Sequence, residues 1–426
     1  MPRPILPQAR CVLKARRLSS SLASLSADLP ARQLPPLHDH LTPQPSYLLS
    51  TTLSSFLPSH SALNQPPPHL PPTTSLTTPS AALPEGHHLI YFPPPLSLPS
   101  LLPDGTDPAH SPGDPHTRRM WAGGRVSFRP HGRLRLDGRR AICVEGIRDV
   151  RLKEGPAAFP GSGKVFVGIE RRIVGGIGNE DEALRLGDAG WRARLWGERG
   201  EIGEQEAAVV ERRELVFMRD RPPSSGLRSE GVSAQQQQAA EGKPPKILRA
   251  PYPPTLSHTL IPTPHLLFRF SALTFNAHAI HLDSTFCRAV EGHRNLLVHG
   301  PLSLVLLLSF LRGHLLATKR QSVAGTSEWM IKEIEYRNLA PLYAEEEMRL
   351  CARPHQQQRP QTQRKDGDER ASPSSSDTEA RVGDPRAQTG TDSHSNSTND
   401  EEIWDLWIEG PDGGMCVRGR ATVGRI

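Results

Sequence analysis

Phe270-Ser271-Ala272-Leu273-Thr274-Phe275-Asn276-Ala277-His278-Ala279-Ile280-His281-Leu282-Asp283 carries the reading of this chain, together with Leu297-Val298-His299-Gly300-Pro301 and the apolar run Leu302 to Leu311 behind it. Imidazole is the side chain that trades protons near neutral pH. A single histidine in a β-rich segment is ordinarily structural or solvent-facing. The order Asn276, His281, Val298-His299-Gly300 and then an apolar helix points to catalysis instead. It gathers a proton carrier, an amide and a helix N-terminus in one unit. The apolar run is about half of what a bilayer crossing requires. A buried core helix over Pro301 to Leu316 is therefore expected, with no transmembrane segment.

Composition sets the frame around that unit. At 426 residues the chain is long enough for two or three domains. Its 43 prolines are roughly twice the usual share and belong in loops and linkers. Counted with glycine and without tyrosine, the apolar fraction is about 43%, just under the globular norm, which excludes wholesale disorder. The net charge is +6, but Arg3, Arg10, Lys14, Arg16 and Arg17 supply five of those units with no acid before Asp28. The rest is nearly neutral, which argues against a nucleic-acid partner. Cys11, Cys143, Cys287, Cys351 and Cys416 are widely spread and show no C-x-x-C pairing, so they read as reduced intracellular thiols with no disulfide framework and no zinc site.

Residues 1–27 are basic, serine-rich and acid-free, the composition of a mitochondrial transit peptide, and Arg16-Arg17-Leu18-Ser19 resembles a processing site. Leu41, Leu48, Leu49, Leu53 and Phe56 suit a short amphipathic element. Strands are expected at Arg125 to Phe128, Leu134 to Leu136, Ala141 to Val144, Lys164 to Ile169 and Glu214 to Met218. Trp191 and Trp196 are expected to pack on a sheet. Gly161-Ser162-Gly163-Lys164 lacks the upstream glycine of a phosphate loop and reads as a hairpin turn. Residues 223–245 are a linker by composition. A second block opens near Lys246, with a strand at Trp329 to Arg337. Residues 355–400 are expected to be a disordered insert, which also holds the sequon Asn396-Ser397-Thr398. Ile403 to Ile408, a Gly-Pro-Asp-Gly-Gly turn at 410–414 and Met415 to Val417 form a hairpin.

The quoted stretch resembles the signature of the MaoC-like (R)-specific enoyl-thioester hydratases, in which S-x-L-T-G-D-x-N-P-L-H precedes a V-H-G turn and a buried helix. Gly86-His87-His88-Leu89-Ile90-Tyr91-Phe92, Arg118-Arg119-Met120-Trp121-Ala122-Gly123-Gly124, Glu335 to Tyr343 and Trp404 to Gly410 are similar to hallmarks of its two-domain branch. That branch comprises the fungal mitochondrial 3-hydroxyacyl-thioester dehydratases of type 2 and the mesaconyl-C4-CoA hydratases. The resemblance implies an α+β double hot-dog fold, each half an antiparallel sheet wrapped around a central helix. The N-terminal half would span 37–222 and the catalytic C-terminal half 246–424. It also implies His281, Asn276 and Gly300 as catalytic, and Ser271, Thr274 and His299 as substrate-binding.

Dehydrating a 3-hydroxyacyl thioester removes an α-proton and a β-hydroxyl, so a base and an acid must reach both positions. His281 suits that work. Asn276 stands where the resemblance places a catalytic Asp, and an amide can orient water but cannot take its proton. Gly300 is expected to offer its N–H to the thioester oxygen and to let the substrate approach closely. His87 and His88 are expected to be structural or pocket-lining. The implied function is (R)-3-hydroxyacyl-thioester dehydration in mitochondrial type II fatty-acid synthesis, in the matrix, on acyl-carrier-protein substrates. The alternatives are hydration of a short dicarboxylic acyl-CoA and a non-catalytic acyl-binding protein. A dicarboxylate needs a buried Arg or Lys in the pocket, whereas a fatty chain needs an apolar tunnel. No metal or redox cofactor is implied, and the chain is expected to be a monomer with an internal hot-dog pair or a homodimer.

Overall fold

The computed structural model describes residues 22–58, 81–154, 163–177, 180–197, 205–219, 247–319, 329–355 and 401–426. The linker at 223–245, residues 1–21 of the basic segment and 356–400 of the insert lie outside them, as do Gly161 and Ser162 of the expected turn.

Ten strands form one antiparallel sheet: β1 (Leu37–His40), β2 (Arg118–Phe128), β3 (Arg140–Lys153), β4 (Lys164–Ile177), β5 (Val209–Met218), β6 (Leu256–Leu260), β7 (Trp329–Asn338), β8 (Met348–Pro354), β9 (Glu401–Glu409) and β10 (Met415–Arg425). Their order across the sheet is β1-β3-β4-β5-β2-β7-β10-β9-β8-β6. Read outward from the centre, the halves run β2-β5-β4-β3-β1 and β7-β10-β9-β8-β6, which is the same connectivity twice. That repeat is the double hot-dog fold.

The helices divide between the faces of the sheet. α6 (Gly300–Lys319) carries Leu302, Leu304, Val305, Leu306, Leu307, Leu308 and Leu311, each fully buried, as the axis of the second half. It is long and apolar enough to cross a membrane by length and composition alone, yet those leucines pack against β7, β8 and β9. In the first half α2 (Pro43–Leu53) inserts Leu49 and Leu53 into the same core. α4 (Pro264–Leu273) packs against α2. α1 (Leu22–Asp28) contributes Leu25, and Leu29 follows it; both are buried on Val165, Val167, Leu215 and Phe217. α3 (Glu180–Trp196) covers Ile142 and Val144 with Trp191 and Leu195, and Arg148 and Arg172 lie over the ring of Trp196. Within 170–212, longer than one hairpin needs, the described residues are thus a long strand end, a covering helix and the start of β5.

Two expectations change. Leu134 to Leu136 is no strand; it is a loop touching the chain through the isolated bridge Ala82↔Arg135, with Leu134 buried in the core. The stretch Phe270–Asp283 is not β-rich: it is the end of α4, a turn, and a short 3-10 turn at Ala279–His281 before α5 (Ser284–Ala289). Its apolar residues reach the core with helical rather than alternating spacing.

The halves meet where β2 pairs with β7, Gly123 opposite Arg337 and Gly124 opposite Tyr336. Both glycines are required there. Gly123 has φ +149°, and a Cβ on it would lie 2.3 Å from the Tyr336 carbonyl oxygen; a Cβ on Gly124 would lie 2.1 Å from that of Arg212. Trp121 Nε1 donates to Tyr336 Oη at 2.8 Å, Asn338 Nδ2 donates to the Trp121 carbonyl at 2.9 Å, and Arg118 pairs with Glu291 at 2.7 Å across the same joint. Replacing Gly123 with valine is expected to cost about 2–4 kcal/mol. Denaturant unfolding of the variant beside the wild type measures this, and an unchanged midpoint would contradict the joint as described.

Candidate active site

The site lies beside that joint. At the start of α6, Gly300 sits so close to β2 and β7 that a Cβ would meet Trp121 Cβ and Asn338 Nδ2 at 2.9 Å each. The glycine is therefore dictated by the joint, where the sequence suggested substrate clearance. Its N–H belongs to the first helical turn, which has no intrahelical acceptor.

His299, immediately before the helix, is buried and stacks on His281, with ring centroids 3.6 Å apart and planes 21° apart. His299 Nε2 and Ser271 Oγ, from the last turn of α4, are hydrogen-bonded at 2.8 Å. His281 Nδ1 lies 2.8 Å from the Leu297 carbonyl. A carbonyl only accepts, so Nδ1 carries the proton and, in the neutral ring, Nε2 carries the lone pair. Nε2 has no protein partner among the described residues, and 7% of the His281 surface remains accessible. This is the tautomer that a base needs.

Burial pushes His281 down to about 4; the Leu297 hydrogen bond opposes that shift and the nearby Arg119 charge adds to it. Burial and neighbouring imidazoles hold His278 and His299 well below the usual histidine range. Two stacked rings cannot both be cations, so the cluster is neutral at neutral pH.

Asn276 is tied into its turn at both ends: its backbone N–H donates to the Ser271 carbonyl at 2.9 Å, and its Oδ1 accepts from the His278 N–H at 3.0 Å. The carbonyl oxygen of the amide is occupied, which leaves the NH2 group to act as a donor. Thr274 turns its hydroxyl back onto the Phe270 carbonyl at 2.8 Å and closes α4. The first half holds this turn in place. The Asp104 carbonyl accepts from the Ala279 N–H at 2.8 Å, Asp104 Oδ2 stands 3.5 Å from His278 Nε2, and Gly105 lies so near that a Cβ would be 2.1 Å from the Ala277 carbonyl oxygen.

A cavity of about 620 Å³ opens between the halves. Ser271, Thr274 and Asn276 line it, as does Pro301 at the start of α6; His281, His299 and Gly300 are not lining residues, but His281 precedes the lining Leu282, His299 is bonded to the lining Ser271, and Gly300 precedes Pro301. Exposed Leu98, Phe268 and Phe275 give it an apolar rim. Phe275 is in the left-handed region at φ +51°. The opposite wall is charged. Glu145, Arg171 and Glu211 occupy paired positions on β3, β4 and β5; Arg171 reaches Glu145 at 3.0 Å and Glu211 at 3.6 Å. His110 bonds Glu145 at 2.6 Å, and that partner together with Arg171 holds the Glu145 carboxyl far below the usual range despite burial. His88 is buried beside Glu211, and His87 bonds Ser46 Oγ at 2.7 Å away from the cavity, so both are structural here. Among the described residues no group of three His, Cys, Asp or Glu side chains is placed to hold a metal ion. Arg119, which the sequence marked only as part of a motif, also lines the cavity.

A duplicated hot-dog sheet, with buried imidazoles gathered beside the N-terminus of its core helix, is the architecture of the MaoC-like hydratase class. The profile of the hydroxyacyl-thioester dehydratase type 2 family matches residues 86–344, more than half of the chain. The chain belongs to that family of hydro-lyases. It is 29% identical over 288 residues, 67% of this chain and 80% of the relative, to the mesaconyl-C(4)-CoA hydratase of Chloroflexus aurantiacus. It is 36% identical over 107 residues, 25% of this chain and 33% of the relative, to the mitochondrial hydroxyacyl-thioester dehydratase type 2 of Schizosaccharomyces pombe. Among solved structures, a MaoC-like dehydratase of Phytophthora capsici aligns with a TM-score of 0.44 at 9% identity, over 94% of this chain and 99% of that one.

The buried histidines fix a pH signature. The folded protein keeps His87 near 3 and His88 and His281 near 4, whereas the unfolded chain binds protons near 6.5. Stability is therefore fully present above about pH 6.5 and is lost as pH falls from there toward 4. Melting temperature measured at pH 7.5, 6 and 5 should fall at each step. Over the range where the protein stays folded, a base already neutral at pH 5 should give kcat/KM no acid limb near 6.5. Such a limb would contradict the burial of His281.

Proposed function

We propose that the chain reversibly dehydrates (R)-3-hydroxyacyl thioesters with His281 as its proton carrier. The observation carrying this reading is the His281 tautomer: Nδ1–H is held by the Leu297 carbonyl, which leaves Nε2 basic. In dehydration Nε2 takes the α-proton and charge gathers on the thioester oxygen, where the Gly300 N–H at the start of α6 stabilises it. The same proton passes to the departing 3-hydroxyl, giving water and the enoyl thioester; hydration is the reverse. Asn276 donates from its amide to that hydroxyl or to the attacking water. Ser271, through His299, fixes the ring stacked on His281, and Thr274 shapes the wall. The first half, over 37–222, completes the cavity for the catalytic half over 246–424.

The setting that the basic N-terminal composition and the mitochondrial yeast relative support is mitochondrial type II fatty-acid synthesis, in the matrix, with acyl-carrier-protein substrates. A cut after Ser19 would leave α1 whole. A second reading, hydration of a short dicarboxylic acyl-CoA, is favoured by the charged inner wall of the cavity and by the Chloroflexus relative.

Full-length protein should hydrate crotonyl-CoA, followed by loss of enoyl absorbance, and His281→Ala should reduce kcat on the order of 10²–10⁴-fold. Silence of the wild type on crotonyl, longer enoyl and mesaconyl thioesters, with thioester binding equal in His281→Ala, would replace this reading with that of an acyl-binding protein. Asn276→Asp should keep the bond to the His278 N–H and leave activity within about tenfold of wild type, given that a general acid–base group is worth more than that. A much larger gain would mean that Asn276 impairs the site rather than serving it.

A further inference from the structure

Among the described residues, three that are not glycine hold their backbone in the left-handed region: Phe92 at φ +60°, Phe275 at φ +51° and Glu345 at φ +63°. That conformation crowds a Cβ, and a bulky side chain stays in it only where something offsets the cost. At Phe92 the offset is burial, since the ring is 1% exposed within the main core. At Glu345 it is hydrogen bonding: the N–H donates to the Pro262 carbonyl at 2.7 Å, and the carboxylate accepts from Asn295 Nδ2 at 3.3 Å. Phe275 has neither. Its ring is 64% exposed and packs into no apolar cluster among the described residues. Its N–H donates to the Ala272 carbonyl at 3.3 Å, a bond that any residue other than proline would make. Glycine would hold the same turn without the steric cost.

The position of the ring supplies the reason. Phe275 immediately precedes Asn276 and lines the cavity, and Leu282, immediately after His281, does the same. Phe268 on α4 and Leu98 of the first half complete an exposed apolar rim. Phe268 and Phe275 are the exposed phenylalanines among the described residues, and both line this one cavity. A thioester with its reacting carbons beside Asn276 and His281 has its acyl group inside and its arm leaving across that rim. We infer that Phe275 is a binding residue for the thioester arm, its ring covering the pantetheine segment next to the sulfur that coenzyme A and acyl carrier protein share. The substrate, rather than the folded protein, then buries the ring. The strained backbone sets the ring beside Asn276, in a turn that the bonds from Asn276 to the Ser271 carbonyl and the His278 N–H hold in place. Strain kept at an exposed apolar side chain is thus explained by the ligand that covers it.

The inference rests on the acyl-thioester reading, and binding of unreactive ligands separates the two. Calorimetry on the full chain should show butyryl-CoA and butyryl-pantetheine each bound at least about fivefold more weakly by Phe275→Ala and by Phe275→Gly than by the wild type, given the apolar area of a phenyl ring. Phe275→Tyr, which keeps the ring, should bind both within about twofold of the wild type. Octanoyl-CoA should lose the same factor as butyryl-CoA, because the ring lies outside the acyl pocket. The melting temperature of Phe275→Gly should equal or exceed that of the wild type, since glycine relieves the backbone and no packing is lost. Unchanged affinity in both variants, a loss confined to the CoA ligand, a loss that grows with acyl length, or a lower melting temperature in Phe275→Gly would overturn the assignment while leaving the hydratase reading intact. Binding of none of these thioesters by the wild type would overturn both.

Discussion

The pairing of β2 with β7 is the contact on which everything else in this protein depends. It turns two five-stranded repeats into one sheet. It can form only because Gly123 presents no side chain to the Tyr336 backbone, and Gly124 in the same way lets β5 close on the other edge of β2 at Arg212. The same joint fixes Trp121 against Tyr336 and Asn338, and those groups press on the first residue of α6. The core helix therefore starts where it does, with its free N–H groups beside the cavity, because the sheet is continuous there. The loop at Asp104–Thr106 uses that placement to pin the histidine turn of the other half.

Burial works differently on the two sides of the cavity. On the α6 side it is applied to imidazoles, which escape the cost of a buried charge by staying neutral. His281 then keeps a basic nitrogen without an ion pair to hold it, and the stacked His299 is fixed by Ser271. On the β3–β5 side the buried groups are carboxylates and guanidinium ions that cannot be neutralised cheaply, and they appear as a matched ladder across three strands. Such pairs are weak as sources of stability. Their consequence is that a charged ladder and a neutral imidazole cluster border the same cavity.

The second half was largely readable from residues. The run Leu302 to Leu311 could only be a core helix, and the alternating Ile403 to Ile408 with its glycine turn is the β9–β10 hairpin. Ser271, Asn276, His281 and His299 do converge on one place. The reason for Gly300 was not readable, because Trp121 lies some 180 residues away in sequence and only the joint brings it there. Leu134 to Leu136 alternates like a strand but has a partner at one bridge alone, since the core takes Leu134 as a loop residue. Arg119 was visible within a motif, but its place in the cavity wall was not. Its neighbours Arg118 and Arg171 find carboxylates distant in sequence, Glu291 and Glu145, that no local spacing could have assigned to them, while Arg213 takes Glu211 two residues before it on the same strand.

The claim at the centre is that His281 is a neutral base with its proton on Nδ1 and its lone pair free. Nitrogen NMR of the full chain carrying 15N-labelled histidine reads this directly, with the His281 signals assigned by their absence from His281→Gln. At pH 6, Nδ1 should be protonated and Nε2 should resonate as an unprotonated nitrogen. An imidazolium at that pH, or a proton on Nε2 with Nδ1 bare, would contradict the bond to the Leu297 carbonyl and with it the assignment of His281 as the proton carrier.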